Sequence, residues 1–167
     1  MDLYFQGTRL AREAGALSIV DAQGPALVEA LKGRPGLVKP NRLELAATVE
    51  SELKDEPAVI RAMRNICERG AARVVVTAGQ EPALAFDGHR CWRIVPPTIA
   101  PVNPIGSGDA FTAGLVSWLL RGEDLGEASR WGCACGAANA LTLMPGEVQG
   151  EDVEMLRPKV RLERLSV

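Results

Sequence analysis

The feature that most constrains the fold is an alternation of short apolar runs with amphipathic stretches, clearest at Arg73-Val74-Val75-Val76-Thr77, almost all β-branched and bounded by Gly79. Upstream, Ala16-Leu17-Ser18-Ile19-Val20 is a short apolar run ending at Asp21. Gly24-Pro25 and an amphipathic stretch through Leu31 follow it, a strand-turn-helix pattern. Leu37-Val38-Lys39 is a second short strand, stopped by Pro40. Asn41 then opens a helical run, Leu43-Glu44-Leu45-Ala46-Ala47, and a longer helix is predicted from Pro57 to Arg69, ended by Gly70. Strands alternating with helices imply βαβ units and a mostly parallel sheet, hence an α/β fold.

The rhythm then changes. Ala83-Leu84-Ala85-Phe86 and Arg90-Cys91-Trp92-Arg93-Ile94 flank Asp87-Gly88-His89, the pattern of an antiparallel hairpin turning at Gly88. A Pro-rich connector, Pro96 to Pro104, leads to two helices of small residues, roughly Ser107 to Arg121 and Leu125 to Leu143. The second is rich in Ala and Gly, which lets it approach a neighbour closely. A short helix over Glu151 to Leu156 and a last strand within Lys159 to Val167 complete the prediction.

Composition narrows the function classes. With 47% hydrophobic and 24% charged residues the chain is neither disordered nor a membrane protein. Its net charge of -2, with both signs interspersed, supplies no basic stripe for nucleic acid and no polybasic segment for a membrane surface. Any phosphate site must be local, built from backbone N–H groups and a cation or two. Cys67, Cys91, Cys133 and Cys135 show no Cys-x-x-Cys spacing and His89 lies far from the other potential ligands, so zinc is not expected. Free buried thiols favour a reducing cytoplasm. Residues 1–7 resemble a protease cleavage site used to release affinity tags and are set apart as a remnant. Residues 8–167 are expected to form one domain.

Gly106-Ser107-Gly108-Asp109 lies where a loop enters an apolar helix. Its glycines let consecutive N–H groups face one point, and the helix N-terminus adds about half a positive charge, which suits an anion and keeps Asp109 ionised. Asp109 could receive a hydroxyl proton in phosphoryl transfer; equally, Ser107 or Asp109 could simply cap the helix. Asn41-x-x-Glu44 matches a capping box, yet the same spacing leaves Glu44 able to hold a hydrated Mg²⁺, with Lys39 facing phosphates. Thr77-Ala78-Gly79 is either a ligand-approach point at a strand end or a plain hairpin turn. Asn139, polar within a small-residue helix, suits a satisfied core amide better than a ligand contact. Trp92, Trp118 and Trp131 are expected to pack.

Taken in order, Lys39-Pro40-Asn41-Arg42-x-Glu44, Val74-Val75-Val76-Thr77-x-Gly79, Val102-Asn103-Pro104-Ile105-Gly106-Ser107-Gly108-Asp109-Ala110-Phe111 and Ala134-Cys135-Gly136-Ala137-Ala138-Asn139-Ala140-Leu141 resemble the C-terminal half of the ribokinase-like (phosphofructokinase B-type) carbohydrate kinases. The branch of 1-phosphofructokinase and tagatose-6-phosphate kinase is the most similar, and Asp21-x-x-Gly24 also resembles its strand-end motif. The resemblance implies a three-layer α/β/α fold and ATP-dependent transfer of a phosphoryl group to a sugar-phosphate hydroxyl. It implies Asp109 as catalytic base and Gly106, Ser107 and Gly108 as anion hole. Lys39, Asn41, Thr77, Gly79 and Asn139 would bind nucleotide, and Glu44 would organise Mg²⁺, through water. Pro82 departs from the pattern, standing where the family has a second glycine.

The family's N-terminal half, with its sheet lid and most sugar contacts, has no counterpart in these residues. The chain is therefore expected to be inactive alone and to pair its exposed sheet edge with the missing half or with a second copy. The alternatives are a nucleotide-binding module without an acceptor site, and a kinase of an unphosphorylated sugar or nucleoside.

Overall fold

The computed structural model describes residues 2–166; Met1, the first residue of the expected tag remnant, and Val167, the last of the predicted final strand, lie outside them. The chain divides into two compact units, one spanning the residues up to Ala78 with Phe86–Arg90, the other Gly79–Ala85 and the residues from Cys91 on.

The first unit contains α1 (Leu3–Glu13), β1 (Ile19–Val20), α2 (Gly24–Lys32), β2 (Leu37–Val38), α3 (Arg42–Val49), α4 (Glu56–Glu68) and β3 (Val74–Ala78). Strands β1, β2 and β3 run parallel, with Ile19 opposite Leu37, Val20 opposite Val38, and Val38 opposite Val74. The β-branched run is therefore a strand, and its first three residues are buried. Leu27, Leu31, Leu37, Leu45, Met63, Ile66 and Val75 join it in a core closed to solvent. Caps set the helix starts: the Asp55 side chain accepts from the Ala58 N–H at 2.8 Å, with Pro57 in the first turn.

Helix α1 is the element the sequence reading omitted, because residues 3–7 were set aside as tag. They form its first turn and a half, and Thr8 is buried within it. The Thr8 hydroxyl lies 3.1 Å from the Ala30 carbonyl near the end of α2. Gly33 makes that approach possible: a β-carbon there would stand 1.9 Å from Thr8 Oγ1.

The second unit contains β4 (Glu81–Phe86, its last residue shared with the first unit), β5 (Cys91–Val95), α5 (Ser107–Leu119), α6 (Leu125–Ala140), α7 (Gly150–Leu156), a 3-10 turn (Arg157–Lys159) and β6 (Arg161–Leu165). Pro82, which stands where the family pattern has a second glycine, is the second residue of β4, near a strand start where its missing N–H does least harm. The turn is Gly79-Gln80, with Gly79 at φ +63°. Strand β6 is antiparallel to β5, and the opposed pair Arg93 and Glu163 forms an ion pair at 2.8 Å.

Helices α5 and α6 pack backbone against backbone. A β-carbon on Gly132 would stand 2.7 Å from the Phe111 carbonyl oxygen, so the small-residue composition of α6 is what allows the approach. Trp118 and Trp131 stack across the pair with ring centroids 3.9 Å apart, and Arg121 and Arg157 cover the outer faces at 4.5 and 4.6 Å. The tryptophans are packing residues, as expected. No helix among the described residues is long and apolar enough to cross a membrane.

Candidate active site

The predicted site residues fall into two groups, one in each unit. In the first unit, Lys39 follows β2 and is buried, 3% exposed, with its ammonium 2.9 Å from Asp21 Oδ2 at the end of β1. A charge so far from solvent needs such a partner. Pro40 then stops the strand and Asn41 caps α3: its Oδ1 accepts from the Glu44 N–H at 2.9 Å, while Glu44 Oε2 accepts from the Asn41 N–H at 2.8 Å. The capping box expected from Asn-x-x-Glu is thus present in both directions. Thr77 forms a parallel bridge with Asn41, and its N–H donates to the Pro40 carbonyl at 3.2 Å, carrying the β2–β3 pairing past the proline.

One residue of this group escaped the sequence reading. Thr48, buried on α3, donates to the Glu44 carbonyl at 2.7 Å and accepts from the Gly24 N–H at 3.1 Å, so it ties the Asp21-x-x-Gly24 turn to the helix that carries Glu44. Its only sequence signal is the four-residue step from Glu44. The result places the Lys39 ammonium and the Asp21 carboxylate at the carboxyl ends of adjacent parallel strands, where ligands approach open α/β sheets, with Glu44 in the first turn of the helix that follows. No cluster of three or more potential metal ligands exists among the described residues. A half-buried Glu44 with one oxygen committed to the cap suits a mostly hydrated Mg²⁺ and not a protein cage.

In the second unit the loop before α5 is folded by its own side chains. Asn103 Oδ1 accepts from the Ile105 N–H at 3.0 Å, an Asx turn before Pro104, and the Ser107 N–H donates to the Pro104 carbonyl at 3.2 Å. Gly106 sits at φ +84° and serves as N-cap, and α5 has no side-chain cap. That weighs against Ser107 or Asp109 as capping residues. Ser107 is instead the first helical residue and Asp109 the third, an exposed carboxylate in the first turn of a helix without a side-chain cap. Nothing stands within 4 Å of a β-carbon built on Gly108, so this face of the turn is open.

Asn139 on α6 is fully buried, 0% exposed. Its Nδ2 donates to the Ile105 carbonyl at 2.9 Å and to Ser107 Oγ at 3.1 Å, and its Oδ1 accepts from the Gly146 N–H at 2.7 Å. The bland reading, a satisfied core amide, describes its bonding. The thiols are chemically quiet: burial pushes Cys133 up to about 12 and Cys67 up to about 11, and raises Cys135. None of these three is a nucleophile near neutral pH.

The chain is an α/β protein with charged strand ends in one unit and a glycine-led, uncapped helix start in the other. The sequence matches the pfkB family carbohydrate kinases over residues 2–146, and the chain belongs to that family. It is 38% identical over 133 residues to the ATP-dependent 6-phosphofructokinase isozyme 2 of Escherichia coli, covering 78% of this chain and 43% of that protein. It is 36% identical over 129 residues to the 1-phosphofructokinase of Rhodobacter capsulatus, covering 77% of this chain and 41% of that protein. The structure of Escherichia coli phosphofructokinase-2 in complex with potassium superposes with a TM-score of 0.88 at 33% identity, over 94% of this chain and 52% of that one. The ribokinase-like fold expected from the motifs is therefore the fold observed. The chain spans about half the length of the relatives it matches.

Proposed function

We propose that the whole protein transfers the γ-phosphoryl group of ATP to a hydroxyl of a sugar phosphate, of the fructose-1-phosphate or tagatose-6-phosphate type, and that this chain carries the nucleotide-binding and catalytic-base side of the reaction. The observation that carries the reading is the start of α5. Gly106 replaces a capping side chain, no side chain caps the helix start, and Asp109 stands exposed in the same turn. In that reading Asp109 takes the proton of the attacking hydroxyl, while Gly106, Ser107 and Gly108 stabilise the charge that develops on the transferring group.

Lys39, Asn41, Thr77 and Gly79 bind nucleotide, Lys39 acting as a point charge toward phosphate oxygens while Asp21 holds its ammonium in place. Glu44 organises Mg²⁺ through water, a role compatible with its cap because only one carboxylate oxygen is used there. Magnesium would supply neutralisation of phosphate charge. Coverage of only about half of each relative supports a chain that lacks acceptor-binding residues and is inactive alone. Strand β1 is the edge of the parallel group in its unit, and it would pair there with the rest of the protein or with a second copy. The free thiols support a cytoplasmic location.

Calorimetric titration of the chain with Mg-ATP tests the nucleotide half of the proposal. Saturable, Mg²⁺-dependent binding is expected; a flat titration with folded chain would overturn it. The absence of turnover with ATP and fructose 1-phosphate by this chain, set against turnover by the whole protein, tests the other half.

A further inference from the structure

We propose that Asn139 is a positioning residue for the phosphate loop: it fixes Ile105–Ser107 from behind, makes the aim of the first N–H groups of α5 depend on the turn at Gly146, and does not itself touch the ligand. Its functional meaning rests on the phosphoryl-transfer reading above.

A side-chain amide has two N–H donors and one carbonyl oxygen. Both donors of Asn139 are used, on the Ile105 carbonyl and Ser107 Oγ, and the oxygen accepts from Gly146. The amide cannot be turned over, because the Ile105 carbonyl only accepts and the Gly146 N–H only donates. There is also no room for an intruder. A β-carbon on Gly106 would stand 2.8 Å from the Gly146 nitrogen and 3.3 Å from Asn139 Oδ1, so the two loops already touch at the glycine that opens α5.

A second asparagine works in the opposite direction. Asn103, before the phosphate loop, donates through Nδ2 to the Leu143 carbonyl at 2.9 Å, and the Val102 N–H donates to the Ala140 carbonyl at 2.7 Å. Each loop thus sends a side-chain amide to the backbone of the other. Asn139 is the member that reaches the residues of the anion hole, and a displacement of the Gly146 turn is passed through its planar amide to Ile105 and Ser107.

The test uses the intact chain, read by amide resonances and hydrogen exchange, in two variants. Asn139→Asp keeps an acceptor for the Gly146 N–H and loses the donor to Ile105; Asn139→Ala loses both. The Gly106, Ser107 and Gly108 amides should shift in both variants. Exchange at Gly146 should accelerate at least about tenfold in Asn139→Ala alone, as loss of its hydrogen bond to the amide oxygen predicts. Amides of β1 to β3 should stay unchanged, which reports folding. With Mg-ATP as probe, Asn139→Asp should weaken binding by about tenfold while adenosine, which lacks phosphates, binds as before.

Unshifted Gly106–Gly108 amides in a folded variant would overturn the proposal. So would equal losses for adenosine and Mg-ATP, the mark of direct contact. If the unaltered chain binds neither ligand, the nucleotide reading of this chain fails, and the amide shifts alone decide the positioning claim. Should both variants unfold, Ser107→Ala replaces them: it must move the Gly146 amide resonance through Asn139, and an unmoved resonance refutes the latch.

Discussion

Gly136 lies directly beneath the first turn of α5: a β-carbon there would stand 2.9 Å from the Ser107 carbonyl oxygen. Backbone cannot yield as a flexible side chain does, so Gly136→Ala should lift that turn and cost about 1–3 kcal/mol of stability, as overpacking generally does. Urea unfolding measures it. Gly150→Ala is the control, since nothing lies within 4 Å of a β-carbon there, and it should be close to neutral.

The capping box and the proposed magnesium role of Glu44 can be separated. Asn41→Ala removes the acceptor for the Glu44 N–H and should cost about 1 kcal/mol. Glu44→Gln keeps an oxygen for the Asn41 N–H while losing the charge. Its unfolding midpoint should hardly move, whereas the Mg²⁺ dependence of nucleotide binding should weaken. A Glu44→Gln variant with unchanged Mg²⁺ dependence would leave the residue a cap and nothing more.

Lys39 and Asp21 should respond unequally to neutralisation. Asp21→Asn strands a buried ammonium and should destabilise the first unit by about 1–3 kcal/mol. Lys39→Met removes the buried charge itself, so the fold should be little affected or slightly firmer. Mg-ATP affinity should nevertheless fall by about tenfold, the effect of one lost charge-assisted hydrogen bond. Paired calorimetry and urea unfolding on the two variants read both effects.

Burial moves the Cys133 thiol from its ordinary value of 9.0 up to about 12, with a smaller contribution from Cys135. The folded state therefore holds this proton more tightly than the unfolded chain does. The stability so gained is full below pH 9 and is lost as pH rises toward about 12. The slope per group is at most about 1.4 kcal/mol per pH unit. Urea midpoints taken on either side of pH 9 should fall with pH, and Cys133→Ala should make the fall shallower.

Much of this was legible in the sequence because local chemistry and tertiary structure agree. The β-branched run at Val74–Val76, the cap at Asn41, and the glycine-led start of α5 each specify one backbone outcome, and the fold uses that outcome. The phosphate loop and Asn-x-x-Glu gained meaning from their order along the chain, which neither has alone. What was hidden depends on long-range contact. Asn139 reads as a generic core amide until Ile105 and Ser107, 34 and 32 residues before it, and Gly146, 7 after, are seen to take its three bonds. Helix α1 was missed for a different reason: a stretch that resembles a processing remnant can still propagate a helix once Thr8 docks on α2. Pro82 stands where the family pattern has a second glycine, and a strand's second residue tolerates it.

The most direct test of the central claim is turnover by the whole protein carrying Asp109→Asn, measured with ATP and a sugar-phosphate acceptor under conditions where Mg-ATP binding is shown to persist. Loss of the base should remove nearly all turnover, at least about 10²–10⁴-fold, with binding little changed. Turnover retained near that of the unaltered protein would contradict the assignment of Asp109 and, with it, the catalytic reading of the α5 start.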